Sequence, residues 1–244
     1  MAGSSLAERA AALEWYHTIE LPDGTVTQGF FDHRGVIGRY GIPERLDGLR
    51  VLDCGTFDGF FAFEFERRGA KEVVALDVPD TESLDWPAPL RRKATTRFQP
   101  QHQNFDLARE ALGSTVDRRF VSVYNADPGE LGQFDLVFIG SLLGHLRDPV
   151  GALMALRSVC AGRLHLAEMT HRRLDLLSRR VGVAKFQALS ANMTWWVPNR
   201  KCLEEMVLAA GFDDVRVGDT FTVPFRGQRG GIRHTIVTAG RGPD

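Results

Sequence analysis

The stretch VLDCGTFDG, Val51 to Gly59, places an apolar run ending on Asp53 directly before two glycines, Gly55 and Gly59, with Thr56, Phe57 and Asp58 between them. RVLDC has the character of a short buried strand. FFAFEFERRG, where Phe61 and Phe65 stand one turn apart and Glu64 precedes Arg68 by four, has that of a helix stopping at Gly69. A strand passing through a glycine turn into a helix opens a βαβ unit, so the sheet it belongs to is parallel and covered on both faces. The same turn exposes bare backbone and the unpaired N–H groups of a helix start. It is therefore a place where a ligand can touch the main chain.

The remaining chain repeats this alternation. EVVALDV follows about twenty residues after the first strand, and RFVSVY, FDLVFIG, RLHLAEM, DVRVGD and RHTIVTA supply five further strands. Asp148 before Pro149 opens a helix, with Leu153, Leu156 and Cys160 along one face and Gly162 as its stop. Asn199 caps another, whose Leu203, Met206, Val207 and Ala210 form a stripe ending at Gly211. The pattern predicts an α/β fold: a Rossmann-like, doubly wound, mostly parallel seven-stranded sheet with helices on both faces and a final β-hairpin. Residues 1–49 are expected to form an N-terminal lid or cap segment and residues 50–244 the main domain, with a lid insertion at about 171–197.

At 244 residues, 43% of them hydrophobic and 25% charged, the chain can bury one α/β core. It contains no apolar run of the roughly 18 residues that a membrane helix needs. Its start, MAGSSLAERAAALEWYH, carries Arg and Glu where a secretory signal would be apolar, which points to a cytoplasmic protein. Cys54, Cys160 and Cys202 are widely separated inside apolar elements and read as core thiols, and no metal site is expected. The formal net charge of -1 conceals two basic clusters, PLRRKATTR and HRRLDLLSRRVGVAK.

A dinucleotide site would show G-x-G-x-x-G, whereas this turn has an Asp, two glycines four apart and the additional Asp58. A pyrophosphate fits poorly beside two carboxylates, while a cationic cofactor without phosphate suits Asp53. Asp77, at the end of the second strand, is placed to accept hydrogen bonds from both hydroxyls of a ribose.

With these features the sequence resembles the class I S-adenosylmethionine-dependent methyltransferases. VLDCGTFDG looks like their first motif, ALD like their ribose acid, YNADPGELGQFDLVFIG like their adenine turn and fourth strand, and AGRLHLAEM like their fifth strand. Within that class WYHTIELPDGTVTQG, SLLGHLRDPVGAL and WWVPNRKCLEEMVLAAGF are similar to the small relatives of the tRNA wobble-uridine carboxymethyltransferases. The resemblance implies S-adenosyl-L-methionine as cofactor and S-adenosyl-L-homocysteine as product. Asp53, Gly55, Thr56, Phe57 and Gly59 would hold the methionine portion, Asp77 the ribose, Asn125 and Ala126 the adenine, and the Ser141 carbonyl the ammonium group. The carboxymethyl-transferring relatives carry a tyrosine where this chain has Gly144, which implies plain methyl transfer unless Arg226 or Arg229 grips a carboxylate.

His145, just after the fourth strand, is the expected general base, with Glu168 and His171 behind it. Tyr16, His17, Glu168 and Trp195 are expected to line the acceptor pocket, with Trp15 and Trp196 beside them, and Leu174, Leu176, Leu177, Val181, Val183 and Phe186 to form the apolar underside of the lid. The reading is O-methylation of a small-molecule acceptor, with a wobble-uridine tRNA as the alternative partner, no membrane association, and the oligomeric state left open.

Overall fold

The computed structural model describes residues 4–91, 102–189 and 193–242. Its strands are β1 (Arg50–Cys54), β2 (Glu72–Asp77), β3 (Asp117–Phe120), β4 (Phe134–Gly140), β5 (Cys160–Met169), β6 (Ala184–Phe186), β7 (Trp196–Pro198), β8 (Asp213–Pro224) and β9 (Gly231–Gly240). The helices are α1 (Leu6–Ala11), α2 (Phe60–Arg67), α3 (Ala88–Arg91), α4 (His102–Leu112), α5 (Pro128–Leu131), α6 (Pro149–Val159), α7 (Arg172–Leu177) and α8 (Arg200–Ala209). Seven strands form one sheet in the order β3-β2-β1-β4-β5-β9-β8. The first five run parallel, and β9 lies antiparallel between β5 and β8, which is the expected closing hairpin. Strand order reverses between β1 and β4, so the connections leave those two strands in opposite directions and open a crevice at their carboxyl ends.

Alternation along the strands divides the core in two. Val51 of β1 and Leu136 and Phe138 of β4 join an aromatic cluster with Trp15, Tyr40, Phe61, Phe65 and Phe221. Leu52, Val137 and Ile139 face the opposite way, onto Leu153 and Leu156 of α6 and Leu203 of α8. The N-terminal segment thus contributes to the same core as α2. The Glu64–Arg68 pair on α2 forms at 2.7 Å.

Three local expectations are corrected. The third strand begins at Asp117 and ends at Phe120, because Ser122 caps a 3-10 turn at Val123–Asn125 and only the first two residues of RFVSVY stay in the sheet. α6 passes straight into β5 through Cys160, so Gly162 is a strand residue, where a Cβ would run into the Asp135 carbonyl. An additional two-stranded sheet, β6–β7, occupies the segment after α7.

That segment has no apolar underside: Leu176, Leu177, Val181 and Phe186 are all more than half exposed. The six-residue α7 buries Asp175, whose carboxylate holds Arg233 at 2.8 Å and accepts the Arg200 N–H. Asn199 accepts from the Val183 and Cys202 N–H groups and donates to the Ser178 and Val181 carbonyls. Polar clamps hold the insertion where an apolar face was expected. Of the cluster PLRRKATTR, Arg92, Lys93 and Arg97 lie outside the described residues.

Candidate active site

The crevice at the strand ends is a cavity of about 970 Å³. Its floor is the turn after β1. Gly55, Phe57 and Gly59 all have positive φ, at 74°, 57° and 91°. A Cβ on Gly59 would run into the rings of Phe63 and Phe105, so this turn closes only around glycine. The Gly55 and Thr56 N–H groups both donate to the Leu76 carbonyl, locking the turn against the end of β2.

Two carboxylates border this floor. Asp53 is buried and its Oδ2 has no hydrogen-bond partner. Asp77 accepts from the Val78 N–H at 2.8 Å through Oδ1, while its Oδ2 is likewise buried and unpartnered. Burial pushes Asp53 up to about 6 and Asp77 up to about 7. Buried oxygens without donors are unstable as they stand, and a ligand bringing a cation to one and hydroxyls to the other would satisfy both.

Ser141 follows β4 in the left-handed region at φ 53°, its N–H donating to the Ala167 carbonyl. Its hydroxyl donates to Nε2 of His234. The Ile232 carbonyl at 3.0 Å can only accept, which places the ring proton of His234 on Nδ1. Burial holds His234 down at about 4, so it stays neutral.

Asp53, Gly55, Phe57, Asp77, Ser141, His145, Glu168, Tyr16 and His17 all border the one cavity, as does His171. Thr56 and Gly59 belong to the turn but do not border the cavity. Asn125 is exposed and Ala126 packs into the second core; Ser122, Val123 and Tyr124, one turn earlier, take the wall expected of them. Trp195 is absent from the lining because its indole N–H reaches the Asp85 carbonyl at 2.5 Å, and Met193, Thr194 and Val197 face the cavity instead. His171 is spent as the N-cap of α7. Arg226 donates to the Thr27 carbonyl and Arg229 is exposed, whereas Arg233, with Arg147, Arg172, Arg173 and Lys185, borders the cavity. Asp85, Tyr124, Arg233 and His234 carry no local sequence pattern that marks them for this cavity. Gly144 sits under β7: its carbonyl accepts the Trp195 N–H at 2.7 Å, and a Cβ there would come within 3.0 Å of the Trp196 carbonyl.

The domain of EvdMO1 crystallised with S-adenosylhomocysteine and D-fucose superposes with a TM-score of 0.64 at 20% identity, over 96% of this chain and 95% of that one. This is the class I methyltransferase fold. The 1,6-didemethyltoxoflavin-N1-methyltransferase of Burkholderia thailandensis shares it at a TM-score of 0.54 and 17% identity, over 81% and 72%. In sequence, the chain is 28% identical to a tRNA U34 carboxymethyltransferase of Ectopseudomonas mendocina over 188 residues and 27% identical to that of Pseudomonas putida over 186. Each match covers 75% of this chain, which spans about half the length of these curated relatives. No protein-family model matches the chain. No helix among the described residues is long and apolar enough to cross a membrane.

Within this methyltransferase fold, Glu168 projects from β5 between the cavity and the loop after β4. Its Oε2 accepts from the Leu143 N–H at 2.7 Å and its Oε1 from the Met169 N–H at 2.8 Å. Burial outweighs these donors and pushes it from the usual 4.5 up to about 7. Between those two values the folded chain holds a proton that the unfolded chain has lost. Stability contributed by this group is therefore complete below about 4.5 and lost as pH rises through about 7. Glu168→Gln removes the charge but turns an amide N–H toward one of the two backbone donors, so its stability relative to the wild type carries a constant offset and should rise with pH across this window. Thermal denaturation of both proteins without ligand at the two ends of the window checks this, and an equal difference at both ends would refute it.

Proposed function

We propose that this chain binds S-adenosylmethionine and transfers its methyl group to a hydroxyl of a small acceptor. The observation carrying the reading is the pair of unpartnered carboxylate oxygens, Asp53 Oδ2 and Asp77 Oδ2, on one cavity beside a left-handed glycine turn. Asp53 offers charge to the methionine ammonium, Asp77 accepts from the ribose hydroxyls, and the bare turn at Gly55 admits the chain between them. Ser122, Val123 and Tyr124 would flank the adenine, in place of Asn125 and Ala126, and the Ser141 carbonyl would take the ammonium from the other side. When bound, the cofactor supplies an electrophilic methyl group on a sulfonium. The protein's own part is to orient the acceptor, keep water out and take up a proton.

The cavity lies near the upper end of the roughly 300–1,000 Å³ usual for small-molecule sites, which leaves room for an acceptor beside the cofactor. It is bordered by Tyr16 and His17 from the N-terminal segment and by Arg172, Lys185, Met193 and Thr194 from the insertion. These two walls are the lid of this reading. The EvdMO1 domain, crystallised in the presence of S-adenosylhomocysteine and D-fucose, supports a small acceptor. A second reading, modification of a wobble uridine in tRNA, is favoured by the curated relatives and by the exposed Arg172 and Arg173 at the cavity mouth. It requires bulk tRNA to bind with an affinity that falls steeply with salt; filter binding that detects no salt-sensitive complex would remove it.

Asp77→Ala should leave the fold intact and weaken S-adenosylhomocysteine binding by the loss of two charge-assisted hydrogen bonds, each about 1.5–3 kcal/mol. Isothermal calorimetry measures this directly, and undiminished affinity would sink the ribose assignment. Plain methyl transfer follows from position 144. A Cβ there would already press on the Trp196 carbonyl at 3.0 Å, and glycine carries no hydroxyl to offset burial of an additional carboxylate. S-Adenosylmethionine should outcompete its carboxylated analogue in a displacement titration. Tighter binding of the analogue would reverse this point.

A further inference from the structure

Four imidazoles besides that of His234 border the cavity, and their partners differ. His171 accepts the Leu174 N–H on Nδ1, which puts its ring proton on Nε2. His145 is held by Nδ1 against the Met193 carbonyl at 2.8 Å, so Nδ1 donates and Nε2 keeps its lone pair, but the partner is neutral and burial lowers the basicity of the ring. His33 pairs with the Tyr40 hydroxyl at 2.7 Å, and burial lowers it well below its ordinary value. His17 alone has a carboxylate behind it. Its Nδ1 meets Oδ1 of Asp58, while Oδ2 of Asp58 accepts the backbone N–H groups of Tyr16 at 3.0 Å and His17 at 2.8 Å.

Asp58 is entirely buried, so its charge is met by those donors and by nothing in solvent. The arrangement fixes the ring proton of His17 on Nδ1. Nε2 makes no hydrogen bond among the described residues, and His17 borders the cavity, so Nε2 is the ring atom left to meet an acceptor there.

We infer that His17, oriented by Asp58, is the general base for the acceptor, an inference that rests on the methyl-transfer reading above. The acceptor O–H gives its proton to Nε2. The electron pair left on oxygen forms the bond to the methyl carbon, and the broken bond leaves its pair on sulfur. The carboxylate behind the ring stabilises the charge that appears there, as a carbonyl or phenol cannot. Asp58 is then a positioning residue, and the role first assigned to His145 passes to His17.

Diethyl pyrocarbonate, which acylates an imidazole nitrogen bearing a lone pair, tests this without a known acceptor. With S-adenosylhomocysteine bound at saturation, wild-type His17 should still be acylated, as read by peptide mass. In Asp58→Asn the amide oxygen can keep both backbone N–H groups, while the amide N–H now faces Nδ1 and drives the ring proton onto Nε2. Acylation of His17 should then fall at least about tenfold with cofactor affinity unchanged. Protection of His17 by S-adenosylhomocysteine would place it on the cofactor instead, and undiminished acylation in Asp58→Asn would separate it from Asp58; either overturns the inference. Should that variant not fold, long-range proton–nitrogen spectra of the wild-type complex decide the matter, since a proton on Nε2 would be equally fatal. Calorimetry beforehand shows whether S-adenosylhomocysteine binds at all, so a failure of the methyl-transfer reading is seen separately.

Discussion

A fully buried carboxylate with three donors from one neighbouring segment fixes the geometry of the site. Asp58 belongs to the glycine turn, and among the described residues Tyr16 and His17 supply the hydrogen bonds to its oxygens. Leaving such a charge without partners costs far more than any single packing contact, so the turn and the N-terminal segment take up their positions together. The remainder of that segment follows. Trp15 buries its ring and donates its indole N–H to the Ala10 carbonyl, while the Thr18 N–H reaches the Phe31 carbonyl, and Phe31 bridges to Phe225 beyond β8. One ionic anchor thereby ties the first thirty or so residues to both the floor and the far wall of the cavity.

The opposite wall is held by different means. α7 and the β6–β7 sheet contribute little apolar burial, and Leu177 and Phe186 face outwards. Asp175 and Asn199 hold this insertion through an ion pair to Arg233 and hydrogen bonds to the Arg200 N–H and the backbone of Ser178 to Val183. The Gly144 carbonyl receives the Trp195 N–H and so joins the insertion to the loop after β4. A wall secured by polar bonds around a short helix opens locally more readily than one buried in the core, which fits the proposed entry of an acceptor.

Charge is distributed along the cavity in the same sense. Asp53 and Asp77 stand at the strand ends, whereas Arg147, Arg172, Arg173 and Lys185 line the mouth. Asp85 joins the two regions, accepting from the Tyr124 hydroxyl and the Arg147 N–H. The cationic portion of a ligand is thus drawn to the floor and any anionic portion to the rim.

Local pattern determined a good deal by itself. The continuous apolar runs of β1, β2, β4 and β5, the glycine turn, and the caps at Asp148 and Asn199 are written in contiguous residues, because short buried strands, left-handed turns and helix caps are short-range physics. Asp53, Asp77 and Ser141 could be placed on that basis, since the ends of parallel strands fall on one edge of the sheet. The tertiary structure decided what depends on residues distant in the chain. Asp58 read as an additional acid against a phosphate until Tyr16 and His17 arrived to meet it. Asn125 and Trp195 were misplaced because one turn capped by Ser122 and one indole hydrogen bond to Asp85 set which way they face. The apolar residues of the insertion suggested a buried face, but whether such residues are buried depends on a partner surface, and the polar clamps from Asp175 and Asn199 turned them outward.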